Sequence, residues 1–452
     1  MTQEMHQAGA DSVLRDAIYK YAADRMAMDP VPLDGPKAPA ELASLVGNTI
    51  TEAGMGGLAA LAVFEEVLAP ATISTDNPNF LSFIPAAPTE AATLFDLVVS
   101  ASSIYGGSWT EGAGAVFAEN QVLEFLADEA GFPTGSGGVF VQGGTLGNLS
   151  ALVVARDVAE KNLGKQNWAI ICSSEAHSSI KSVAKVMGIT VVAGDASETG
   201  SFTGTAADAA IESAKEQNLV PFALVATGGT TNFGIIDRLS ELADVAAKNS
   251  LWYHVDGAYG LAGMLVNELK PKFLGLERAD SFIVDPHKWL FAPFDACALV
   301  FRNPALAKQS HTQHGEYLET LNKADDWNPS DYAFNLTRRV RGLPLWFSLA
   351  TYGVACYRSA ISDNVKLAQK IAGEISSRPG LKLVREPELS VVVFERKGWV
   401  LEDYEKWSKK LLADQIGFVV PSSHLGKPNT RFAIVNPNTS FEDLVAILDT
   451  ME

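Results

Sequence analysis

Ser281-Phe-Ile-Val-Asp-Pro-His-Lys-Trp-Leu-Phe-Ala-Pro-Phe-Asp-Ala-Cys-Ala-Leu-Val-Phe301 decides how this chain reads. Its two apolar, β-branched runs, Phe282 to Val284 and Cys297 to Phe301, predict strands. Between them the turn Asp285-Pro286-His287-Lys288-Trp289 sets one lysine among apolar and aromatic residues. Burial disfavours the charged ammonium, so a lowered pKa and a nucleophilic amine are expected at Lys288. A lysine snorkelling out of a loop between two core strands is the plainer alternative. Residues upstream decide between them.

Upstream, Gly138-Val-Phe-Val-Gln142 predicts a short strand, followed by Gly143-Gly-Thr-Leu-Gly-Asn-Leu-Ser-Ala-Leu-Val-Val-Ala-Arg156. Small residues entering an apolar helix leave its first N–H groups free, which makes an anion site to which Thr145 can add a hydroxyl. No Gly-Lys-Ser/Thr follows, so this is not a nucleotide P-loop. Strands expected at Trp168–Cys172, Phe222–Ala226 and Trp252–Val255 then alternate with helices at Ser178–Met187, Thr205–Gln217 and Leu239–Lys248. That alternation implies an α/β fold with a mainly parallel sheet covered on both faces. Polar residues punctuate each strand's carboxyl end: Glu175-Ala-His177, Thr227-Gly-Gly-Thr-Thr231 and Asp256-Gly-Ala-Tyr259. Ligands of open α/β sheets sit beyond those ends, so the clusters are expected to converge.

Further out the pattern changes. Residues 1 to about 70 carry helical patterns broken by prolines, and are expected to pack on a second subunit. Asn77-Pro-Asn-Phe-Leu-Ser-Phe-Ile-Pro85 is apolar and irregular, either a buried connector or a pocket wall. The charged stretch from His311 to Asp326 lacks periodicity and is expected to be a lid or disordered. Beyond Leu336, helices at Leu343–Tyr352 and Asn364–Ile375 precede shorter strands, which predicts a smaller α+β unit.

The 452 residues exceed one ordinary core, so two or three structural units are expected. A formal net charge of -18 argues against nucleic acid and anionic membranes as partners. Cys172, Cys297 and Cys356 lie far apart with neither metal nor disulfide spacing, as in a reduced cytoplasmic protein. No metal site is expected. The first residues show no signal peptide pattern, and no run reaches membrane-spanning length. Asn148-Leu-Ser and Asn335-Leu-Thr match the glycosylation pattern, which carries no meaning without secretion.

Together these parts match what pyridoxal 5'-phosphate (PLP) needs: an amine for its aldehyde, an anion cradle, a carboxylate beside the pyridine nitrogen, and something flat against the ring. Lys288 is the amine, Gly143 to Thr145 the cradle, Asp256 the carboxylate, and His177 the flat side chain. The order of these residues, with His-Val-Asp-x-Ala-Tyr at His254 to Tyr259 and Pro-His-Lys-Trp at Pro286 to Trp289, resembles the group II PLP-dependent amino-acid decarboxylases. The likeness runs from about Asn77 to Trp346 and continues more weakly to the C-terminus.

What the resemblance implies is specific. Lys288 would be the aldimine lysine, Asp256 the pyridinium partner, His177 the stacking side chain, and Ala258 the contact on the other ring face. Gly144 and Thr145 would bind phosphate, and His287 would lie beside the phosphate or the lysine. Thr231 would bond the cofactor or the substrate carboxylate, and Asp237 would support the ring nitrogen. Tyr317 would be the loop tyrosine that protonates the quinonoid, reaching into the neighbouring subunit of a homodimer with shared active sites. The implied fold is that of the aspartate-aminotransferase type of PLP-dependent transferases. It would comprise an N-terminal arm over 1–100, a PLP domain over 101–335 and a small domain over 336–452.

Two departures bear on the substrate: Asn77 stands where relatives acting on aromatic amino acids commonly have His, and Ala86 where they commonly have Thr. Phe80, Phe83, Ile84 and Pro85 still offer an apolar pocket, so an aromatic or bulky apolar amino acid is expected. Three alternatives stay open: another amino acid, an aldehyde-forming decarboxylation with deamination, and a dimeric binding protein without catalysis. A serine hydrolase lacks its Gly-x-Ser-x-Gly elbow here.

Overall fold

Strand and helix signals assemble into two sheets. The computed structural model describes residues 11–451 apart from 86, 197–199, 315–325 and 425. The larger sheet has seven strands: β1 (Gly137–Val141), β2 (Trp168–Ser173), β3 (Thr190–Gly194), β4 (Val220–Thr227), β5 (Trp252–Asp256), β6 (Ser281–Val284) and β7 (Cys297–Phe301). They lie in the order β1-β7-β6-β5-β4-β2-β3. Neighbours from β6 to β3 run parallel, while β7 runs antiparallel to both β1 and β6. The carboxyl ends of β1, β2, β4, β5 and β6 therefore share one edge.

Burial explains why these segments are strands. Every residue of β1, β2, β5, β6 and β7 is buried, as strands covered on both faces must be. Helix Gly144–Leu163 can lie close on the sheet because Gly147 has no side chain. A Cβ there would meet Ile283 at 2.8 Å and the Cys297 sulfur at 2.9 Å.

The smaller sheet is antiparallel, β10-β11-β9-β8, from β8 (Leu381–Leu383), β9 (Val391–Arg396), β10 (Pro421–His424) and β11 (Lys427–Ala433). It packs on helices Leu343–Ser377, Leu401–Ala413 and Phe441–Asp449 around Phe394, Tyr404 and Phe432, all fully buried.

Three expectations need correction. The helices expected at Leu343–Tyr352 and Asn364–Ile375 form one element, Leu343–Ser377, which bends at Gly353 (φ 75). Only glycine takes that left-handed geometry without strain, so the turn costs no loop. Strands β3 and β10 were not expected. Both are partly exposed edge strands; β10, Pro421-Ser-Ser-His424, has no apolar run, whereas the β-branched run Thr190-Val-Val-Ala193 of β3 was a legible strand signal.

Among the described residues, no helix is long and apolar enough to cross a membrane.

Candidate active site

A cavity of about 980 Å³ opens at the shared carboxyl edge, and five strand ends supply its wall. Gln142 to Thr145 follow β1, Glu175 to Ser179 follow β2, and Thr227 with Gly229 to Thr231 close β4. Asp256 and Ala258 end β5, and Asp285, His287 and Lys288 follow β6. The expected convergence of Gly144, Thr145, His177, Thr231, Asp256, Ala258, His287 and Lys288 is thus present in the wall.

The turn after β1 begins helix Gly144–Leu163 with no side-chain cap and no acidic residue in its first turn. Its positive end faces the cavity. Gly144 N–H donates to Asp285 Oδ2 at 3.3 Å, and a Cβ on Gly144 would lie 3.2 Å from that oxygen and 3.3 Å from Ala258 Cβ. Any side chain at Gly144 would press on these neighbours.

Lys288 Nζ lies 3.0 Å from Asp285 Oδ2, and its side chain is only 22% exposed. Burial pulls its pKa down, but Asp285 and, beyond it, Asp256 outweigh that and hold it above the ordinary value. The expected lowering is therefore overturned in the cofactor-free protein, because the sequence did not show a carboxylate folding back from three residues away. His287 lies beside the same carboxylate, Nε2 to Oδ2 3.8 Å, with Nδ1 2.7 Å from the Ala296 carbonyl oxygen. Burial pushes His287 down. Asp285 Oδ1 is buried without a hydrogen-bond partner among the described residues.

His177 caps helix Ser178–Met187, accepting at Nδ1 from Ser179 N–H (3.2 Å), which leaves Nε2 to carry the proton of the neutral ring. Asp256 accepts from Asn148 Nδ2 at 2.9 Å and from Ala258 N–H at 3.1 Å. It is 6% exposed and faces the cavity.

Several expected residues stand elsewhere. Asp237 does not line this cavity: its carboxylate accepts from Phe202 N–H (2.9 Å) and Thr227 N–H (2.7 Å) and so fastens the end of β4. Full burial raises its pKa to about 7, against those two bonds. Of Phe80, Phe83, Ile84 and Pro85, only Phe83 lines the cavity. Phe80 packs on Phe418 at 4.9 Å, Ile84 joins the main core, and Pro85 is buried. The segment is buried on both sides of Phe83, and the left-handed backbone at Phe83 (φ 55) turns that one side chain out of the packing. Asn77 is buried too, donating to the Val31 carbonyl and accepting from Asn79 N–H at 2.7 Å. Tyr317 and Ala86 lie outside the described residues.

Sequence reading also missed residues. Arg431 on β11 lines the cavity and donates to the Thr231 carbonyl. Burial lowers it to about 10, still cationic at neutral pH. Asn148 drew notice only as a glycosylation pattern, yet it is fully buried and bonded to Asp256. Its place on the same helix as the glycine turn, one turn beyond Gly144, was the available signal.

These parts fit PLP: an amine, an uncapped helix start with a closely packed glycine turn, and a buried carboxylate at one sheet edge. Residues 52–397 match the pyridoxal-dependent decarboxylase conserved domain. The chain belongs to this family. It is a PLP-dependent amino-acid decarboxylase by that membership. An aromatic-L-amino-acid decarboxylase of Bacillus atrophaeus is 30% identical over 385 residues, which span 82% of this chain and 80% of that one. A phenylacetaldehyde synthase of a Rosa hybrid cultivar is 31% identical over 345 residues, 72% of this chain and 68% of that one. A crystal structure of Oryza sativa TDC with PLP and tryptamine superposes with a TM-score of 0.92 at 23% identity, covering 99% of this chain and 98% of that chain. That likeness shows the fold: the PLP-dependent transferase architecture that the family resemblance implied.

Proposed function

We propose that this decarboxylase converts an L-amino acid with an aromatic or bulky apolar side chain into its amine, as a cytoplasmic homodimer with shared active sites. The observation that carries the reading is the convergence of Lys288, Asp256, His177 and the Gly143–Thr145 turn in one cavity. PLP, when bound, supplies the electron sink that lets the carbon–carboxylate bond break.

Each residue has work to do there. The N–H groups at the start of helix Gly144–Leu163, with Thr145, would hold the phosphate, and Lys288 would offer the amine for the aldehyde. Asp256 would accept a hydrogen bond from the ring nitrogen and favour its protonated form, and His177 and Ala258 would hold the ring. Arg431 is a buried cation in the wall, suited to receive the substrate carboxylate beside Thr231. Phe83, 58% exposed and held at φ 55, presents its ring to the cavity. A left-handed phenylalanine is strained, and such strain concentrates at ligand sites. The apolar ring and the relatives named for aromatic amino acids support the substrate class.

A second reading, aldehyde formation, is favoured by the likeness to phenylacetaldehyde synthase. The residue that would decide is Tyr317, as the acid that returns a proton to the substrate carbon. The twenty common amino acids, ornithine, DOPA and diaminobutyrate are to be screened for carbon dioxide release, with amine, aldehyde and peroxide measured. Amine from aromatic substrates is expected, and Tyr317→Phe should lower amine formation by about 10²–10⁴-fold, the usual worth of a positioned acid, while raising aldehyde. Turnover confined to acidic or cationic substrates overturns the substrate class. Unchanged amine formation in Tyr317→Phe removes the tyrosine's role.

A further inference from the structure

A buried hydrogen-bonded chain leads to Asp256 from the amino end of β5, along the sheet face that helix Gly144–Leu163 covers. Trp252 Nε1 donates to Ser281 Oγ at 2.9 Å, and the same oxygen lies 2.8 Å from His254 Nδ1. His254 Nε2 lies 2.9 Å from Asn148 Oδ1, and Asn148 Nδ2 donates to Asp256 Oδ2 at 2.9 Å and to Ser179 Oγ at 3.0 Å. Ser281, His254 and Asn148 are completely buried.

Both ends force the same polarity. Indole N–H can only donate, so Ser281 Oγ accepts from Trp252 and its own proton is free to go to His254 Nδ1. A carboxylate can only accept, so Asn148 must turn its Nδ2 toward Asp256 and its Oδ1 toward His254. His254 must then carry its proton on Nε2. Burial, which lowers its pKa to about 4 against the pull of Asp256, keeps the ring neutral and Nδ1 bare. With the opposite tautomer, a bare Nε2 would face Asn148 Oδ1; turning the amide over would set that oxygen against the carboxylate. Either mismatch leaves buried polar atoms unpaired, at about 1–3 kcal/mol each.

We propose that Asn148 and His254 are positioning residues for Asp256: the chain started by Trp252 locks the His254 tautomer and the Asn148 amide so that the carboxylate keeps one orientation toward the cofactor ring. This rests on the reading that Asp256 pairs with the ring nitrogen. Without the chain, the Ala258 N–H is the hydrogen bond left to the carboxylate among the described residues, and its alignment with a ring nitrogen is lost before its charge is.

The test has two arms. In cofactor-free protein labelled with ¹⁵N-histidine, the His254 signal, identified by its loss in His254→Gln, should show a neutral ring protonated at Nε2 at pH 7. A ring protonated at Nδ1, or at both nitrogens, overturns the chain. In the PLP-loaded enzyme, Asn148→Asp preserves shape but replaces the donor by an acceptor. It should retain PLP, keep KM, and lose about 10–100-fold in kcat, the usual worth of an outer-shell partner. The ¹⁵N signal of ring-labelled PLP should also move toward the unprotonated nitrogen. His254→Gln, which can still donate an amide N–H to Asn148, should retain more activity than His254→Phe. Wild-type kcat and ring signal in Asn148→Asp overturn the positioning role alone. Wild-type protein that takes up no PLP overturns the functional reading, and this proposal with it.

Discussion

Lys288 Nζ and Asp285 Oδ2 lie 3.0 Å apart, and the same carboxylate oxygen accepts from Gly144 N–H at 3.3 Å. One buried carboxylate thus touches both Lys288 and the first residue of helix Gly144–Leu163. It holds Lys288 above its ordinary pKa although burial alone would lower it. Only the neutral amine adds to an aldehyde, so on the proposed role of Lys288, Asp285 would limit how readily the free protein captures PLP.

Asp285→Asn should therefore move the pH dependence of PLP capture toward lower pH, since the lysine loses its counter-charge and keeps its burial. Absorbance of the bound cofactor, followed after mixing across pH 6–10, measures the shift. In stability terms the sign is fixed: a raised lysine pKa stabilises below the unfolded value of 10.5 and loses that contribution above it. An unchanged capture profile in Asp285→Asn would show that the pair does not set the amine's charge.

Lys288 should be the residue that borohydride links to PLP, with the label recovered in the peptide carrying Pro286-His287-Lys288-Trp289. Lys288→Ala should lose the yellow colour and reduce turnover to background. A label on Lys181, which also lines the cavity, would reassign the site.

Acid should weaken the cofactor-free fold through His254. Its pKa falls from 6.5 to about 4 through burial, so folding excludes a proton that the unfolded chain binds. The stabilising contribution is complete above pH 6.5 and is lost as pH falls toward 4; it amounts to on the order of 3 kcal/mol. His287 and His311, also lowered by burial, act with the same sign. Urea midpoints between pH 7.5 and 4 should fall, and His254→Gln should flatten the decline.

Arg338→Met should destabilise the protein by about 3–5 kcal/mol, because it strands a buried carboxylate. Arg338 meets both oxygens of Glu119 at 2.8 and 2.7 Å and also donates to the carbonyls of Phe140 and Gly106. Burial already raises the Glu119 pKa, with Arg338 opposing it. A large drop in denaturation midpoint is expected, with partial recovery in the double variant Arg338→Met, Glu119→Leu.

The sequence by itself determined the alternation of strands and helices, and with it the sheet edge where Gly144, His177, Asp256 and Lys288 had to meet. That information is local: apolar period, glycine turns and polar residues at strand ends follow from the chain's own conformational rules. Helix Ser178–Met187 and the strand Cys297–Phe301 appear with the boundaries expected from the sequence. Only the tertiary structure decided the rest, because it depends on which side chains distant segments bring together. The charge on Lys288 is set by how the turn after β6 folds back on itself, and no spacing rule shows that Asp285 faces inward. Asp237 serves β4 instead of the cavity, and Ile84 sits in the core. Asn148 and His254, 106 residues apart, become partners only when one helix settles on the sheet across Gly147. Hydrogen-bond direction along a buried chain is a property of its two ends, and those ends are neighbours only in the folded molecule.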